Sequence, residues 1–381
     1  MDISPMMLFA LVLFIGTVVS YLSKRFHITA VPIFMVIGII LGPAGLNIEN
    51  YEGISFIGDL GLLMIVFIAG LDVYKEKMVS VGNTMLFTAL NAAISFFAGV
   101  VTGYVFGYET YTSLLIGTIL ISSSVGIIIP MIAGHEDLKN RFGFLTPSVV
   151  ILDGMSLFLL SFFIEMSKGE GITYFLIYSA LFIVILLLLL PRVVNGFFMI
   201  NSRRAYELPF VFVCLACFVA VAELIGLPNI LVAFLAGIAL GRIITTREVY
   251  DEIKAIGEDF LTPVFFIVLG MGLDFSVFTE SLGNLAFMIS LTLILMVSKI
   301  ATGMIFGGLK GYGRKESFLI GAIFWPQLSA TLAATAVAFS AGLFDEVVVM
   351  AVACMAIVTS LATPLVVEIL LSRGAKQPEI T

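Results

Sequence analysis

Thirteen apolar runs of membrane-spanning length follow one another, separated by short polar loops. They lie at roughly 5–22, 29–46, 54–72, 83–107, 111–133, 143–166, 172–198, 206–225, 228–245, 257–274, 283–307, 316–342 and 345–371. A helix that crosses a bilayer needs about 20 mostly apolar residues, so the pattern predicts an all-α polytopic membrane protein with 13 transmembrane helices. No stretch between the runs is long enough for a soluble domain, and the segment after Ser372 is a stub. Composition agrees: 60% of the 381 residues are hydrophobic and 12% charged, where a soluble chain is nearer half and a quarter.

The first run begins at Pro5, after Asp2 and no Lys or Arg. A secretory signal wants a positive start and a small-residue cleavage site, so this run reads as a retained helix. The formal net charge of -7 says little about partners. No basic patch is interleaved with aromatics, and nucleic-acid binding is not expected. Cys214, Cys217 and Cys354 all lie inside apolar runs. They read as packed thiols rather than a disulfide framework or metal site, and no cofactor is expected.

Lys and Arg concentrate in cytoplasmic loops. Basic residues lie at the end of, or just after, run 1 (Lys24, Arg25), run 3 (Lys75, Lys77), run 5 (Lys139, Arg141), run 7 (Arg192, Arg203, Arg204), run 9 (Arg242, Arg247, Lys254) and run 11 (Lys310, Arg314, Lys315). Arg373 and Lys376 lie in the tail. Of the 19 basic residues, all but Lys168 and Lys299 fall on one side of a thirteen-span arrangement. Adding or removing one span would scramble this. The N-terminus is therefore expected outside and the C-terminus in the cytoplasm of a prokaryotic cell, with the protein in the inner (plasma) membrane.

The chain also echoes itself. Run 3 ends IVFIAGLDV from Ile65, and run 10 ends IVLGMGLDF from Ile267, an offset of 202 residues (267 minus 65). Run 3 answering run 10 is a shift of seven helices. An odd shift turns one half upside down, giving two inverted-topology six-helix repeats, a plan used by many secondary transporters. The repeat pairs run 5 with run 12. Run 5 carries Ser122, Ser123 and Ser124 near mid-depth, with Pro130 beyond; run 12 carries Pro326, Gln327, Ser329 and Thr331. Proline removes a backbone donor, and broken backbone at membrane depth is tolerated only inside protein or against a wet cavity. Two crossed discontinuous helices are expected, with hydroxyls and freed carbonyls as hard oxygen donors for Na+ or K+. The plainer reading is that Ser and Thr only assist close helix packing.

Two ionisable residues lie deep in the bilayer: Asp153 in run 6 and Lys299 in run 11. Intramembrane charges are costly and read as functional by default. Burial disfavours the charged form of a carboxyl group, so Asp153 can hold either a proton or a cation, and that competition suffices for exchange. The alternative is a structural Asp153–Lys299 pair. Lys299 is expected as electrostatic partner to a carboxylate or to helix-end carbonyls; snorkelling is disfavoured because Lys310, near the surface, is about a dozen residues away. Asp59, Asp72, Glu223, Asp274 and Asp345 sit at run ends and read as peripheral, and His27 and His135 as solvated loop residues.

IGDLGLLMIVFIAGLDV in run 3, SSSVGI in run 5, ILVAFLAGIALGR in run 9 and FFIVLGMGLD in run 10 resemble segments of the second monovalent cation:proton antiporter family, of Kef-type and sodium/proton antiporters, in the same order. The resemblance covers runs 2 to 13. It implies Asp153 as the cation-binding aspartate and Lys299 as the membrane lysine. It further implies a homodimer with an elevator-like motion. Residues 1–79 (runs 1–3) and 201–279 (runs 8–10) would form a dimerisation domain, and residues 80–170 (runs 4–6) and 280–374 (runs 11–13) a transport core. Residues 171–200 (run 7) would be a linker helix and 375–381 a cytoplasmic tail. The family usually places Asp, Asn or Gln before the binding aspartate; here Leu152 stands there. The expectation is therefore electroneutral exchange of Na+, with K+ or Li+ as other candidates, for H+. A K+/H+ antiporter or K+ efflux system of the Kef type is the alternative, disfavoured by the lack of a cytosolic nucleotide-binding domain. An intramembrane aspartyl protease, a channel or sensor, and an organic-anion symporter are weaker fits. The first needs a Gly-x-Gly-Asp motif that GMGLD at Gly270–Asp274 misses by one residue, and no enzymatic activity is expected.

Overall fold

The computed structural model describes residues 4–26, 30–42, 45–46, 48, 52–75, 81–133, 135–169, 172–200, 206–224, 227, 229–241, 244, 247–272 and 281–372. Among them the chain is helical. The helices are α1 (Pro5–Phe26), α2 (Ala30–Leu41), α3 (Glu52–Lys75), α4 (Val81–Val105), α5 (Thr110–Ile121), α6 (Val125–Ala133), α7 (Glu136–Arg141), α8 (Leu145–Ser167), α9 (Ile172–Ile200), α10 (Glu207–Leu224), α11 (Asn229–Gly241), α12 (Arg247–Lys254), α13 (Thr262–Met271), α14 (Leu282–Lys310), α15 (Arg314–Ile323), α16 (Ser329–Ser340) and α17 (Glu346–Ser372). A π-helical stretch, Ala255–Leu261, joins α12 to α13.

Eight helical stretches among the described residues are long and apolar enough to cross a membrane, and α11 and the Ala330–Ser340 part of α16 are shorter apolar helices. Large apolar side chains such as Phe14, Phe97, Leu188 and Leu293 are exposed. Apolar surface on that scale suits a lipid solvent and not water.

The chain divides into two compact units, with the boundary inside α8 between Ser156 and Leu157. Unit 1 comprises residues 1–77 and 157–276. Its core is built from α3, α9, α10 and α11, with Phe67, Leu71, Leu186, Leu190, Val232 and Leu240 buried together. Helices α3 and α11 cross at Gly70 and Gly237, where a Cβ on Gly70 would lie 2.1 Å from the Phe234 carbonyl oxygen. Small residues allow such contact between membrane helices, where lipid supplies no hydrophobic drive for association. At the end of α3, the Tyr250 hydroxyl donates to Asp72 Oδ1. Lys254 Nζ lies 3.4 Å from Asp72 Oδ2 and 3.2 Å from Glu258 Oε1. Burial opposes the Lys254 charge, but Asp72 and Glu258 outweigh it and hold its pKa above the ordinary lysine value. Asp72, a peripheral residue on sequence grounds, is thus a tie between α3 and α12.

Unit 2 comprises residues 78–156 and 277–381. Helix α4 packs on α5 and α14, and α14 packs on α15 and α17. The α4–α5 crossing runs through Gly99 and Gly117, where a Cβ on Gly99 would meet Gly117 Cα at 2.7 Å. The α14–α15 crossing runs through Gly303 and Gly321, where a Cβ on Gly303 would meet Gly321 N at 2.5 Å. Phe87 is the centre of an aromatic cluster, with Phe144, Phe306 and Phe324 ring centroids 5.7, 5.4 and 4.7 Å away. Helix ends are capped locally. Ser281 Oγ accepts from Gly283 N at the start of α14, Gly311 adopts φ 76° at its end, and Asp345 Oδ1 accepts from Val348 N at the start of α17. These caps satisfy end groups that have no partner within the helix.

Candidate ion-binding site

Two helices of unit 2 are interrupted. Helix α5 ends at Ile121, Ser122 turns to extended backbone (φ -55°, ψ 162°), and α6 resumes at Val125. Helix α15 ends at Ile323 and α16 starts at Ser329. The two non-helical stretches bond to each other: Ser124 N donates to the Pro326 carbonyl at 2.7 Å, and Ser123 Oγ to the Phe324 carbonyl at 2.9 Å. Pro326 lies in its break. Pro130 does not; it lies inside α6, and the interruption falls at the three serines. The physical reason is where donors are available. Ser hydroxyls compete for backbone groups, and the carbonyls released at Ile121 and Ser122 find side-chain donors there. The side chains of Pro130 and Ser329 lie outside the described residues.

Asp153 projects from α8 beside this crossing and is 2% exposed. Its Oδ1 accepts from Ser122 Oγ at 2.5 Å and from Ser123 N at 3.2 Å. Ser156, one turn later, donates to the Thr118 carbonyl at 2.9 Å and so ties α8 to α5. Gln327 Nε2 donates to the Ser122 carbonyl at 2.5 Å, and Thr331 Oγ1 donates to Gln327 Oε1. Gln327 N donates to Thr359 Oγ1 at 3.3 Å, so α17 holds the second break. The Ser124 hydroxyl is buried and has no hydrogen-bond partner.

Lys299 is 0% exposed. Its ammonium donates to Asn91 Oδ1 at 2.9 Å, to the Ile121 carbonyl at 2.9 Å and to the Ser122 carbonyl at 3.1 Å. Of the two partners expected from the sequence, helix-end carbonyls are the ones it contacts. Asp153 is not among its hydrogen-bond acceptors. The lysine sits at the negative end of α5, where a cation is favoured. The expected freed carbonyl at Ser122 is thus taken by Lys299 and Gln327, and of the three serine hydroxyls it is that of Ser124 that has no protein partner.

Among the expected site residues, Ser122, Ser123, Asp153, Lys299, Gln327 and Thr331 form one bonded cluster, with Ser124 in the same crossing. Asn91 and Thr359 were missed. The signal for Asn91 was a stripe of polar residues on α4, where Thr84, Thr88, Asn91, Ser95 and Thr102 are all buried at spacings that share a helix face. Of the residues set aside, His135 Nδ1 lies 2.9 Å from the Met131 carbonyl, and the three cysteines are free. His27 and Asp274 lie outside the described residues.

A buried carboxyl at two interrupted helices, inside an apolar helical protein, is the kind of site that marks an ion or proton pathway. The family described as "Sodium/hydrogen exchanger, transmembrane" matches residues 10–373. A Methanocaldococcus jannaschii protein named "Probable Na(+)/H(+) antiporter 3" is 30% identical over 370 residues, covering 94% of this chain and 95% of its own. The "Na(+)/H(+)-K(+) antiporter GerN" of Bacillus cereus is 26% identical, covering 93% of each. The solved structure of the sodium proton antiporter MjNhaP1 from Methanocaldococcus jannaschii at pH 8 superposes with a TM-score of 0.68 at 16% identity, over 97% of this chain and 96% of that one; this likeness concerns the fold. The chain belongs to the sodium/hydrogen exchanger family.

Proposed function

We propose that the protein is a secondary antiporter that exchanges Na+ for H+ across a prokaryotic plasma membrane, with Asp153 as the shared proton and cation site. The observation that carries the reading is the placement of one buried carboxyl against the crossing of two interrupted helices, beside the unpartnered Ser124 hydroxyl. Protonated, Asp153 is neutral and needs no cation; ionised, it offers a hard oxygen to Na+. Ser122 and Ser123 orient the carboxyl, and Lys299 and Gln327 hold the broken end of α5. The names of the relatives support Na+ as the ion.

The same reading extends to the whole carrier. It has thirteen spans in two inverted repeats, with the N-terminus outside, and works as a homodimer. The glycine crossings support the repeat: Gly99 with Gly117 and Gly303 with Gly321 are related by one offset of 204 residues (303 minus 99, 321 minus 117). Every residue of the cluster belongs to unit 2, so moving that unit would carry the whole site, which supports an elevator motion. One carboxyl exchanging one proton for one monovalent ion makes the cycle electroneutral, and Leu152, fully buried before Asp153, adds no second acid.

The test is fluorescence of a pH dye in proteoliposomes, scanned over Li+, Na+, K+ and Rb+. Na+ should drive proton movement with no current under voltage clamp, and Asp153→Asn should abolish it in a folded protein. Wild-type exchange by that variant removes Asp153 from the mechanism, and a transport current removes electroneutrality. A K+/H+ exchanger of the Kef type is the second reading, favoured by the K+ in the name of the GerN relative; a response to K+ and not Na+ in the same scan selects it.

A further inference from the structure

We propose that Asn91 is the positioning residue for Lys299. It holds the ammonium beneath the broken end of α5 and, through Lys299 and Ser122, fixes the frame in which Asp153 works. The inference rests on the reading of this cluster as the exchange site.

An ammonium has three protons and no acceptor. Lys299 is fully buried and places those protons on three oxygens, two of them the backbone carbonyls of Ile121 and Ser122. The remaining acceptor is the one supplied by a side chain, Asn91 Oδ1 at 2.9 Å. Chemistry fixes which way the Asn91 amide faces. Lys299 can only donate, and Ser95 Oγ donates to the same oxygen at 3.1 Å, so the amide oxygen must face them. The amide nitrogen is turned away into buried space, where it has no partner. A buried unpaired donor is costly. A hydrophobic residue at this place in α4 would avoid that cost but would leave the lysine one acceptor short. The arrangement is explained when the acceptor is the purpose.

From Asn91 the contacts run onward without a gap. Lys299 donates to the Ser122 carbonyl, and the Ser122 hydroxyl donates to Asp153. The acceptor on Lys299 is a neutral amide, so the positive charge is not cancelled where it is held. It remains to balance Asp153 and the carbonyl end of α5. An aspartate at position 91 would place a full negative charge against the ammonium, in a side chain of nearly the same shape. A leucine would remove the acceptor.

The pH dependence of exchange separates these cases. The charged groups around Lys299 are few. Asp153 is the one that acts on it electrostatically. Helix α4 carries no charged residue, α15 carries Arg314, Lys315 and Glu316 in its first turn, and α17 carries Glu346 and Glu368 near its two ends. Exchange should fall on the alkaline side of its profile, at whatever pH Lys299 loses its proton. In Asn91→Leu that alkaline limb should move down by about one pH unit or more, the scale of one lost charge-assisted hydrogen bond. In Asn91→Asp it should move up. In a Lys299→Gln background that limb should be absent, and neither change at position 91 should alter the alkaline side of the profile. Shifts in the same direction for both variants, no shift for either, or equal shifts with and without Lys299 would overturn the proposal. If Asn91→Leu does not fold, the nearly isosteric Asn91→Asp still decides the question.

A second readout needs no transport. The 15N signal of Lys299 Nζ, assigned by its loss in Lys299→Gln, should persist as ammonium to higher pH in Asn91→Asp than in the parent. An unchanged titration sinks the positioning role even if Na+/H+ exchange is established. Conversely, retained exchange in Asp153→Asn would sink the exchange reading while leaving this titration intact.

Discussion

Ser122, Ser123 and Ser124 are three adjacent residues with three different duties. The Ser122 hydroxyl is committed to Asp153 and its carbonyl to Lys299 and Gln327. The Ser123 hydroxyl ties one break to the other through the Phe324 carbonyl. Only the Ser124 hydroxyl is left without a partner in a buried place. A buried hydroxyl left unpaired has lost its water and gained nothing, unless something polar visits it during turnover. Ser124→Ala is therefore expected to raise the Na+ concentration for half-maximal exchange by roughly 3–10-fold, the scale of one ligand worth about 1 kcal/mol, with the maximal rate little changed. Ser123→Ala should instead lower thermal stability, because the tie between the breaks is lost. An unchanged half-maximal concentration in Ser124→Ala would mean that the hydroxyl is no ligand. This division of labour was not visible in the sequence, where the serines form one polar cluster. Bond partners depend on which neighbour faces which hydroxyl, and no spacing rule gives that.

The elements divide in the same way between what the chain states and what packing decides. An unbroken apolar run can be read directly as a helix, and Asp153 and Lys299 stand out because charge in lipid is expensive. The interruption of α5 was legible from its serines, but Pro130 misled, since a proline can be carried within a helix when neighbours satisfy the freed carbonyl. Asn91 is inconspicuous in the sequence because a single amide stands out far less than a charge, although its stripe-mates on α4 mark the face. The glycines of α14 give a test at this scale. A Cβ at Gly303 would lie 2.4 Å from the Ser317 carbonyl oxygen, whereas Gly308 has nothing within 4 Å. Gly303→Ala should destabilise the protein by about 1–3 kcal/mol through overpacking at the α15 crossing. Gly308→Ala, in the same helix, should be neutral or stabilise by up to about 1 kcal/mol, since alanine favours helix more than glycine does. Thermal melting in detergent would compare them, and equal effects would contradict the close crossing.

At the scale of the molecule, burial inside each unit and exposure of apolar side chains outside it are two consequences of one solvent. Helices that present Phe97 or Leu293 outward would associate blindly in water, yet are satisfied in lipid. What packing cannot supply is direction, because the hydrocarbon is the same from either side. Direction comes from charge, since loops rich in Lys and Arg are retained in the cytoplasm. On the proposed thirteen-span arrangement the distribution would be one-sided apart from Lys168 and the buried Lys299. Lys168 is exposed and paired with Glu165 at 3.1 Å, which would offset its charge in the outside loop that the proposed topology gives it. The orientation can then be tested by two cysteines. With Cys214, Cys217 and Cys354 replaced, a membrane-impermeant maleimide should label Lys168→Cys on intact cells, and Lys310→Cys only after permeabilisation. The reverse pattern would invert the topology; labelling of both on intact cells would mean that a span between them does not cross.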